Sequence, residues 1–199
     1  MPDFTLADHD FDAIIFDCDG TIADTLPVHY LTFKEALGEH GHTLDEAWYH
    51  ARTGLSSGKL FAAYEHAHGV TLDRDALLTR SRALYENHLD TLREHGFAAD
   101  IARSQFGHVP MAVASAGQKS VVTATLRTLD LLELFEHVVT VEDVSRPKPA
   151  PDLYLLAAEK LGVAPQRCLV FEDTDEGLEA ARAAGMDAVD VRPFTIGEK

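Results

Sequence analysis

Three short apolar runs constrain the fold of this 199-residue chain more than any other feature. They are AIIF (13–16), MAVAS (111–115) and CLVFED (168–173), and small or acidic residues end or follow each of them. Apolar runs without polar alternation are typical of parallel strands that are covered on both faces. Two weaker runs, VVTV (138–141) and DAVDV (187–191), would extend the same sheet.

Helical patterns separate the predicted strands. Apolar residues recur at helical spacing after the second run and before the third; they are Val122, Leu126 and Leu129, then Leu153, Leu156, Ala157 and Leu161. Pro151 and Thr174 suit helix starts, and Gly162 and Gly185 suit helix ends. The alternation of strand and helix predicts an α/β fold with a doubly wound parallel sheet.

A helical insertion follows the first strand. Residues 26–95 show helical periodicity and no convincing strand, including a long amphipathic stretch over 73–95 with Leu77, Leu84 and Leu92. We expect residues 25–95 to form a small α-helical cap domain. Residues 1–24 and 96–199 would form the core domain, and the short flanking segments would act as hinges.

The charge balance bears on possible partners. Lys and Arg number 17 against 33 Asp and Glu, so the formal net charge is −16. Nucleic acids are bound by clusters of Lys and Arg, and no basic run here exceeds two residues, so we expect no nucleic-acid partner. The same charge repels small anions at long range, so a phosphate site would need local cations or a metal ion.

Cellular location is predicted from what the sequence does not contain. No stretch approaches the roughly 18 apolar residues of a membrane span, and the first ten residues are acidic where a signal peptide is basic. Cys18 and Cys168 form no C-x-x-C pair and would lie too far apart for a disulfide. We expect a cytoplasmic protein with no membrane partner, and a monomer, with a dimer as the alternative.

Polar residues at the strand ends carry the candidate chemistry. Asp17 and Asp19 leave the first run and enter a glycine turn in FDCDGT, a pattern that is also compatible with a plain turn. The other strand ends and the loop RPKPAPD add further groups: Ser115, Lys148, Glu172 and Asp173. Because the carboxyl ends of parallel strands share one edge, where open α/β sheets bind ligands, we expect these groups to meet there.

The acidic residues at this edge predict a metal ion. Four carboxylates cannot all be ionised in a small site without counter-charge, which Lys148 and a hard divalent cation would supply. Oxygen ligands favour Mg²⁺, and we find no convincing His or Cys cluster for zinc, although His66 and His68 are close together.

Taken in order, these residues resemble the four motifs of the haloacid dehalogenase superfamily of phosphotransferases. The resemblance covers essentially the whole chain, and the second aspartate of the first motif disfavours the metal-free dehalogenase branch. The matching residues are Asp17, Asp19, Gly20 and Thr21 for DxDGT, Ser115, Lys148 in KPAPD, and Glu172 and Asp173 in FEDTDEG.

The resemblance implies a role for each motif residue. Asp17 would attack phosphorus and form an aspartyl-phosphate, and Asp19 would act first as general acid and then as general base. Ser115 and the Ala116 N–H would bind phosphoryl oxygens while Lys148 balances the charge. Mg²⁺ would be held by the Asp17 carboxylate, the Asp19 carbonyl and Asp173, with Glu172 supporting this set.

The inserted segment resembles the cap of the β-phosphoglucomutase-like branch. In that branch a Thr or Asp and then a His follow the first motif, as Asp24, Thr25 and His29 do here, and Gly54 matches the centre of a substrate-facing loop. The substrate-binding residues that the resemblance implies are Gly20, Thr21, Asp24, Thr25, His29, Thr53, Gly54, Ser57, Lys59 and Ala116.

The same loop separates two enzymatic hypotheses. Mutases of this branch carry a Lys just before the glycine and an Arg shortly after it, where this chain has Thr53 and Ser57. A mutase must hold a second phosphate, which calls for such cations, so the sequence favours hydrolysis. Lys59 and the later motifs resemble bacterial phosphatases of fructose 1-phosphate and 6-phosphogluconate.

The resemblance therefore implies a Mg²⁺-dependent phosphatase that hydrolyses small phosphorylated sugars or sugar acids through an aspartyl-phosphate. The alternative enzyme is a β-phosphoglucomutase that interconverts hexose phosphates. A third hypothesis is a non-catalytic member of the fold that senses a phosphorylated metabolite, and the intact motif set disfavours it.

Overall fold

The structure, a computed structural model, describes residues 4–195 and divides into two compact units. The core unit comprises the described residues up to Asp24 and from Arg93 onward, and the helical unit comprises Thr25–Leu92. The second dividing point lies three residues before the boundary expected from the sequence.

The core unit contains a five-stranded parallel sheet. Its strands are β1 (Ala13–Phe16), β4 (Met111–Ser115), β5 (His137–Thr140), β6 (Cys168–Glu172) and β7 (Asp187–Asp190), and a separate pair is formed by β2 (Ala23–Asp24) and β3 (Arg93–Glu94). The order across the sheet is β5-β4-β1-β6-β7, with β1 in the centre. The predicted α/β fold with a doubly wound sheet is confirmed.

Helices cover both faces of the sheet, so every residue of its central strands β1, β4 and β6 is buried. On one face, Tyr154 and Ala157 pack against Ala13, Ile15 and Val170. On the other face, the rings of Phe16 and Phe171 stack with centroids 5.1 Å apart. The helices of the core unit are α5 (Gly96–Gln105), α6 (Lys119–Thr128), α7 (Asp152–Leu161), α8 (Asp175–Ala183) and α9 (Arg192–Thr195).

The predicted helix ends are found in α7 and α8. Pro151 precedes α7, and Gly162 ends it with a left-handed φ of 69°, a conformation that glycine adopts without steric cost. The Thr174 hydroxyl accepts a hydrogen bond from the Gly177 N–H and so caps α8.

The helical unit has its own apolar core. It contains α1 (Leu26–Glu39), α2 (Glu46–His50), α3 (Ser57–His68) and α4 (Arg74–Leu84). Phe33, Leu37, Phe61 and Leu77 are among the side chains that meet between these helices. Each helix presents an apolar stripe to this core, as the sequence periodicity predicted.

The expectation that residues 26–95 contain no strand is wrong, and the amphipathic stretch over 73–95 is not one continuous helix. The α-helix ends at Leu84, a 3-10 helix follows over Tyr85–Thr91, and Arg93–Glu94 forms β3, which pairs antiparallel with β2. The Thr91 hydroxyl donates to the His88 carbonyl, a local bond that competes with helix continuation. Leu77, Leu84 and Leu92 are buried nonetheless.

Two further sequence expectations concern cysteines and membranes. Cys18 and Cys168 are free thiols, as predicted, and both are buried. Cys168 pairs with Ala13 at the start of β1, whereas Cys18 lies beyond the other end of that strand. Within residues 4–195, no helix has both the length and the apolar character needed to cross a membrane.

Candidate active site

The carboxyl ends of three neighbouring strands bring the predicted motif residues together. Asp17 directly follows β1, and its N–H donates to the Phe171 carbonyl of β6 at 3.0 Å, so it lies beside Glu172. Ser115 is the last residue of β4. All three side chains are buried, which separates these polar groups from bulk water.

A tight turn after β1 shapes the first motif. The N–H groups of Thr21, Ile22 and Ala23 all point to the Cys18 carbonyl, at 3.1–3.4 Å. Gly20 has a φ of 84°, and a Cβ atom there would overlap the Asp173 carboxylate. Only glycine allows both this backbone conformation and the close approach of Asp173.

This close approach predicts the effect of Gly20→Ala. We expect kcat/KM to fall by about 100-fold or more, because a displacement near 1 Å at a reacting centre has that effect. The left-handed conformation should also cost about 1–2 kcal/mol of stability in denaturant unfolding. Gly107→Ala is the matched control, since Gly107 has a φ of 76° and a Cβ atom there would meet nothing within 4 Å. The control should lose stability and keep its activity; an equal loss of activity in both variants would contradict the assignment.

Lys148 forms two buried ion pairs at this edge. Its Nζ atom lies 2.6 Å from Asp17 Oδ1 and 2.7 Å from Glu172 Oε2. Burial favours the neutral amine, but the charge of Asp17 and the neighbouring groups hold the pKa of Lys148 well above its usual value. Lys148 is therefore a protonated donor in direct contact with Asp17.

Glu172 accepts five hydrogen bonds. Its Oε1 atom accepts from Asp173 N, Thr174 N and Thr174 Oγ1 at 2.7–3.0 Å, and its Oε2 atom accepts from Lys148 Nζ and from the Tyr154 hydroxyl at 2.7 and 2.6 Å. Burial alone would raise the pKa of Glu172, but Lys148 and the other donors hold it below its usual value. Glu172 is thus an ionised carboxylate whose oxygens already have protein partners.

The pKa values of the other two carboxylates, Asp17 and Asp173, are raised by their surroundings. Burial raises the pKa of Asp17 well above its usual value, against the opposing effect of Lys148. Burial and the neighbouring Glu172 raise the pKa of Asp173 to about 7, although the Thr21 hydroxyl donates to it at 3.2 Å. One carboxylate oxygen from each of Asp17, Glu172 and Asp173 lies within 4.8 Å of the other two. This oxygen-rich, electron-rich cluster fits a hard divalent cation such as Mg²⁺.

Asp19 and Ser115 form the opposite side of the site. The Ser115 hydroxyl lies 3.4 Å from Asp19 Oδ2 and accepts a hydrogen bond from the Gly117 N–H at 2.9 Å. Ala116 follows Ser115 and is exposed. The arrangement places a second carboxylate close to a serine at the strand end, beside the cluster that contains Asp17.

The other predicted substrate-binding residues are distributed over both units. Asp24 belongs to β2 of the core unit, whereas Thr25 precedes α1 and its carbonyl accepts from the His29 N–H at 3.0 Å. The His29 ring packs on Phe33 and Tyr85, with centroids 5.7 and 5.3 Å away. A role of Asp24, Thr25 and His29 in substrate binding stays a prediction.

The predicted cap loop lies between α2 and α3 of the helical unit. The Thr53 hydroxyl donates to the His50 carbonyl at 2.7 Å, Gly54 has a φ of 91°, Ser57 begins α3 and Lys59 lies on its first turn. The neighbouring Arg52 guanidinium lies over the Trp48 ring at 3.9 Å. For Thr53, Gly54, Ser57 and Lys59, too, substrate contact stays a prediction.

Sequence reasoning missed Tyr154, Thr174 as a donor, and Gly177. Tyr154 lies on the apolar stripe of α7, and its buried hydroxyl needs a partner, which is the only signal the sequence offers. Thr174 was predicted only as a helix start, yet it also donates to Glu172. A Cβ atom on Gly177 would overlap the Glu172 carboxylate.

The fold and the site together define a class of protein. A family model of haloacid dehalogenase-like hydrolases matches residues 11–185. The chain belongs to this family, as its motif residues predicted.

Individual relatives narrow the class further. The chain is 40% identical over 180 residues to the fructose-1-phosphate phosphatase YqaB of Escherichia coli K12, covering 90% of this chain and 95% of that protein. It is 27% identical over 187 residues to a β-phosphoglucomutase of Bacillus subtilis, with 90% and 82% covered. Among solved structures, CbbY of Rhodobacter sphaeroides in complex with phosphate matches with a TM-score of 0.80 at 25% identity, covering 95% of this chain and 89% of that one. Family, fold and relatives make this chain a phosphoric monoester hydrolase of the haloacid dehalogenase type.

Proposed function

We propose that the chain is a Mg²⁺-dependent phosphatase that hydrolyses small phosphorylated sugars or sugar acids through an aspartyl-phosphate at Asp17. The observation that carries the proposal is the buried contact between Asp17 and Lys148, at 2.6 Å, on the strand edge that also holds Asp19 and Ser115. A carboxylate held in this way has a fixed direction of attack and a cation beside it.

The proposed reaction has two displacements. In the first, a carboxylate oxygen of Asp17 forms a bond to phosphorus while the ester P–O bond breaks, and protonated Asp19 gives its proton to the leaving alkoxide oxygen. In the second, water attacks phosphorus, Asp19 takes a proton from that water, and the bond between Asp17 and phosphorus breaks. Inorganic phosphate and a free alcohol are the products, and both aspartates return to their starting states.

In this scheme Ser115 and Lys148 stabilise the negative charge of the phosphoryl group and do not transfer protons. The Ser115 hydroxyl and the Ala116 N–H would donate to phosphoryl oxygens. Lys148 has one ammonium hydrogen beyond its two ion pairs, and this hydrogen would be directed to the phosphoryl group. Phosphoryl transfer depends mainly on such positioning and electrostatic stabilisation.

A Mg²⁺ ion fits the carboxylate cluster. Asp17, Asp173 and the backbone carbonyl of Asp19 would hold it, while Glu172, whose oxygens accept five hydrogen bonds, would support them. The ion would supply positive charge that offsets the carboxylates and the phosphate dianion.

The proposed substrate class is supported by the relatives and by the cap loop. A relative 40% identical over nearly its full length is a fructose-1-phosphate phosphatase. In the loop, Thr53 and Ser57 carry no charge, and the Arg52 guanidinium is engaged with Trp48 through its ring contact and a 2.9 Å bond to the carbonyl. These contacts favour a substrate with one phosphate over the bisphosphate that a mutase must hold.

A metal-removal experiment tests the proposal. The purified protein is assayed with hexose phosphates, pentose phosphates and 6-phosphogluconate, with Mg²⁺ and after chelation by EDTA. Phosphate release should fall by at least about 100-fold without metal and return when Mg²⁺ is added, because a metal contributes several kcal/mol to charge stabilisation. Phosphate release at the same rate before and after chelation would contradict the metal dependence.

The same samples distinguish the alternatives. Isomerised sugar phosphate with little free phosphate, in the presence of a bisphosphate primer, would identify a mutase. Equilibrium binding of sugar phosphate without turnover would identify a sensor. A cytoplasmic monomer without nucleic-acid or membrane partners stays a prediction, and the oligomeric state is measured by light scattering on the same preparation.

A further inference from the structure

Tyr154 connects the packed core of the sheet to the candidate active site. Its ring is fully buried on α7 among the residues that cover β1 and β6. Its hydroxyl donates to Glu172 Oε2 at 2.6 Å, and the Lys148 Nζ atom lies 4.8 Å from the centre of its ring. Tyr154 therefore contacts both Glu172 and Lys148, the two charged residues next to Asp17.

These contacts form a chain that ends at the attacking carboxylate. Glu172 Oε1 is held by Thr174 and the backbone at the start of α8, and Glu172 Oε2 is held by Tyr154. Lys148 is then fixed between Glu172 and Asp17, with its ammonium group over the aromatic ring. Loss of the hydroxyl would leave Glu172 Oε2 with Lys148 as its remaining partner, and the ammonium would be drawn toward that uncompensated oxygen.

A purely structural tyrosine in this chain has a different partner. The Tyr64 hydroxyl, which is also on a buried side chain, donates to the Thr43 backbone carbonyl at 2.8 Å in the helical unit. Tyr154 instead donates to a buried carboxylate, and a phenylalanine would fill the same space without that bond. The Tyr154 hydroxyl thus contributes a hydrogen bond to Glu172 that packing of the ring does not require.

We infer that Tyr154 is a positioning residue: its hydroxyl and ring hold Glu172 and Lys148 so that Lys148 contacts both Asp17 and the phosphoryl group. This inference rests on the proposed function. Tyr154 does not touch the reacting atoms, and it acts through Glu172 and Lys148.

The first test compares Tyr154→Phe with Tyr64→Phe by steady-state kinetics of phosphate release. For Tyr154→Phe we expect kcat to fall by about 10- to 100-fold, as for other groups that orient site residues, with KM changed by less than about twofold. Tyr64→Phe should keep the wild-type kcat, although each variant loses one tyrosine hydrogen bond and some thermal stability. An unchanged kcat in Tyr154→Phe would overturn the inference.

The second test asks whether the effect passes through Glu172. In a Glu172→Gln background, adding Tyr154→Phe should change kcat by less than about twofold, because contacting groups that act as a unit are not additive. A full 10-fold or greater further loss in that background would assign Tyr154 to packing alone and overturn the inference.

A third readout uses metal-free protein and no substrate. The shifts in thermal midpoint caused by Tyr154→Phe and Lys148→Met should be non-additive, whereas those of Tyr64→Phe and Lys148→Met should add. Additive shifts for the first pair would contradict the connection between Tyr154 and Lys148. If the wild-type protein releases no phosphate from any substrate, the proposed function fails, and this measurement still decides whether the residues are coupled.

Discussion

Asp17→Asn should abolish turnover, with phosphate release falling by at least about 10⁴-fold, the scale seen when a covalent nucleophile is removed. The amide has nearly the same shape as the carboxylate, and its oxygen can still accept from Lys148. It cannot form an acyl phosphate. Purified variant and wild type are compared by released phosphate at saturating Mg²⁺ and substrate.

The same variant should fold as well as the wild type. Burial and the neighbouring carboxylates disfavour the charge of Asp17, whereas Lys148 stabilises it, so a neutral amide removes opposing contributions. Because Lys148 keeps its ion pair with Glu172, we expect a free energy of unfolding close to that of the wild type in denaturant titration. Asp100→Asn, on the exposed face of α5, is the control that should keep its activity. Substantial turnover by Asp17→Asn would show that another group attacks phosphorus.

Lys148→Met should lower both turnover and stability. Removing one partner of a buried ion pair typically costs about 3–5 kcal/mol, because the remaining charge is left without compensation. Here two carboxylates, Asp17 and Glu172, lose the ammonium that lies 2.6 and 2.7 Å from them. Turnover should fall by about 10³-fold, the scale for removal of an electrostatic partner of the transition state. Denaturant unfolding and phosphate release measure the two effects.

Two further variants separate these effects. Lys160→Met changes an exposed lysine in the last turn of α7 and should leave both quantities near their wild-type values. The double variant Asp17→Asn with Lys148→Met should regain part of the lost stability, since one of the two uncompensated charges is gone, while turnover stays abolished. Wild-type stability in Lys148→Met alone would show that the buried pairs contribute little to folding.

Much of the core unit could be predicted from local patterns. Continuous apolar runs indicate strands covered on both faces, and β1, β4 and β6 form where those runs lie. Parallel strands must present their carboxyl ends at one edge, so residues at those ends share a site whatever the details of packing. The structure places Asp17, Ser115 and Glu172 at that edge.

In the helical unit, the spacing of apolar residues does not predict where the α-helix ends. Leu77, Leu84 and Leu92 keep helical spacing and are buried, yet the α-helix ends at Leu84. The spacing of apolar residues indicates which side chains face a core. A 3-10 helix followed by a strand can bury the same side chains as a continuous α-helix would. The short pair of β2 and β3 has two residues on each side, too few for an alternating pattern to be recognised.

The strands, most helix ends and the identity of the motif residues follow from the amino-acid sequence alone, because they depend on the covalent order of apolar, capping and acidic residues. Tertiary packing was needed to establish that Tyr154 and Thr174 hold Glu172, that Gly20 and Gly177 make room for carboxylates, and that Ala23 pairs with Glu94. Several of these contacts join distant parts of the chain: Ala23 and Glu94 are 71 positions apart, and Gly20 and Asp173 are 153 positions apart. No local pattern encodes such pairings, since they exist only once the sheet and its helices have packed.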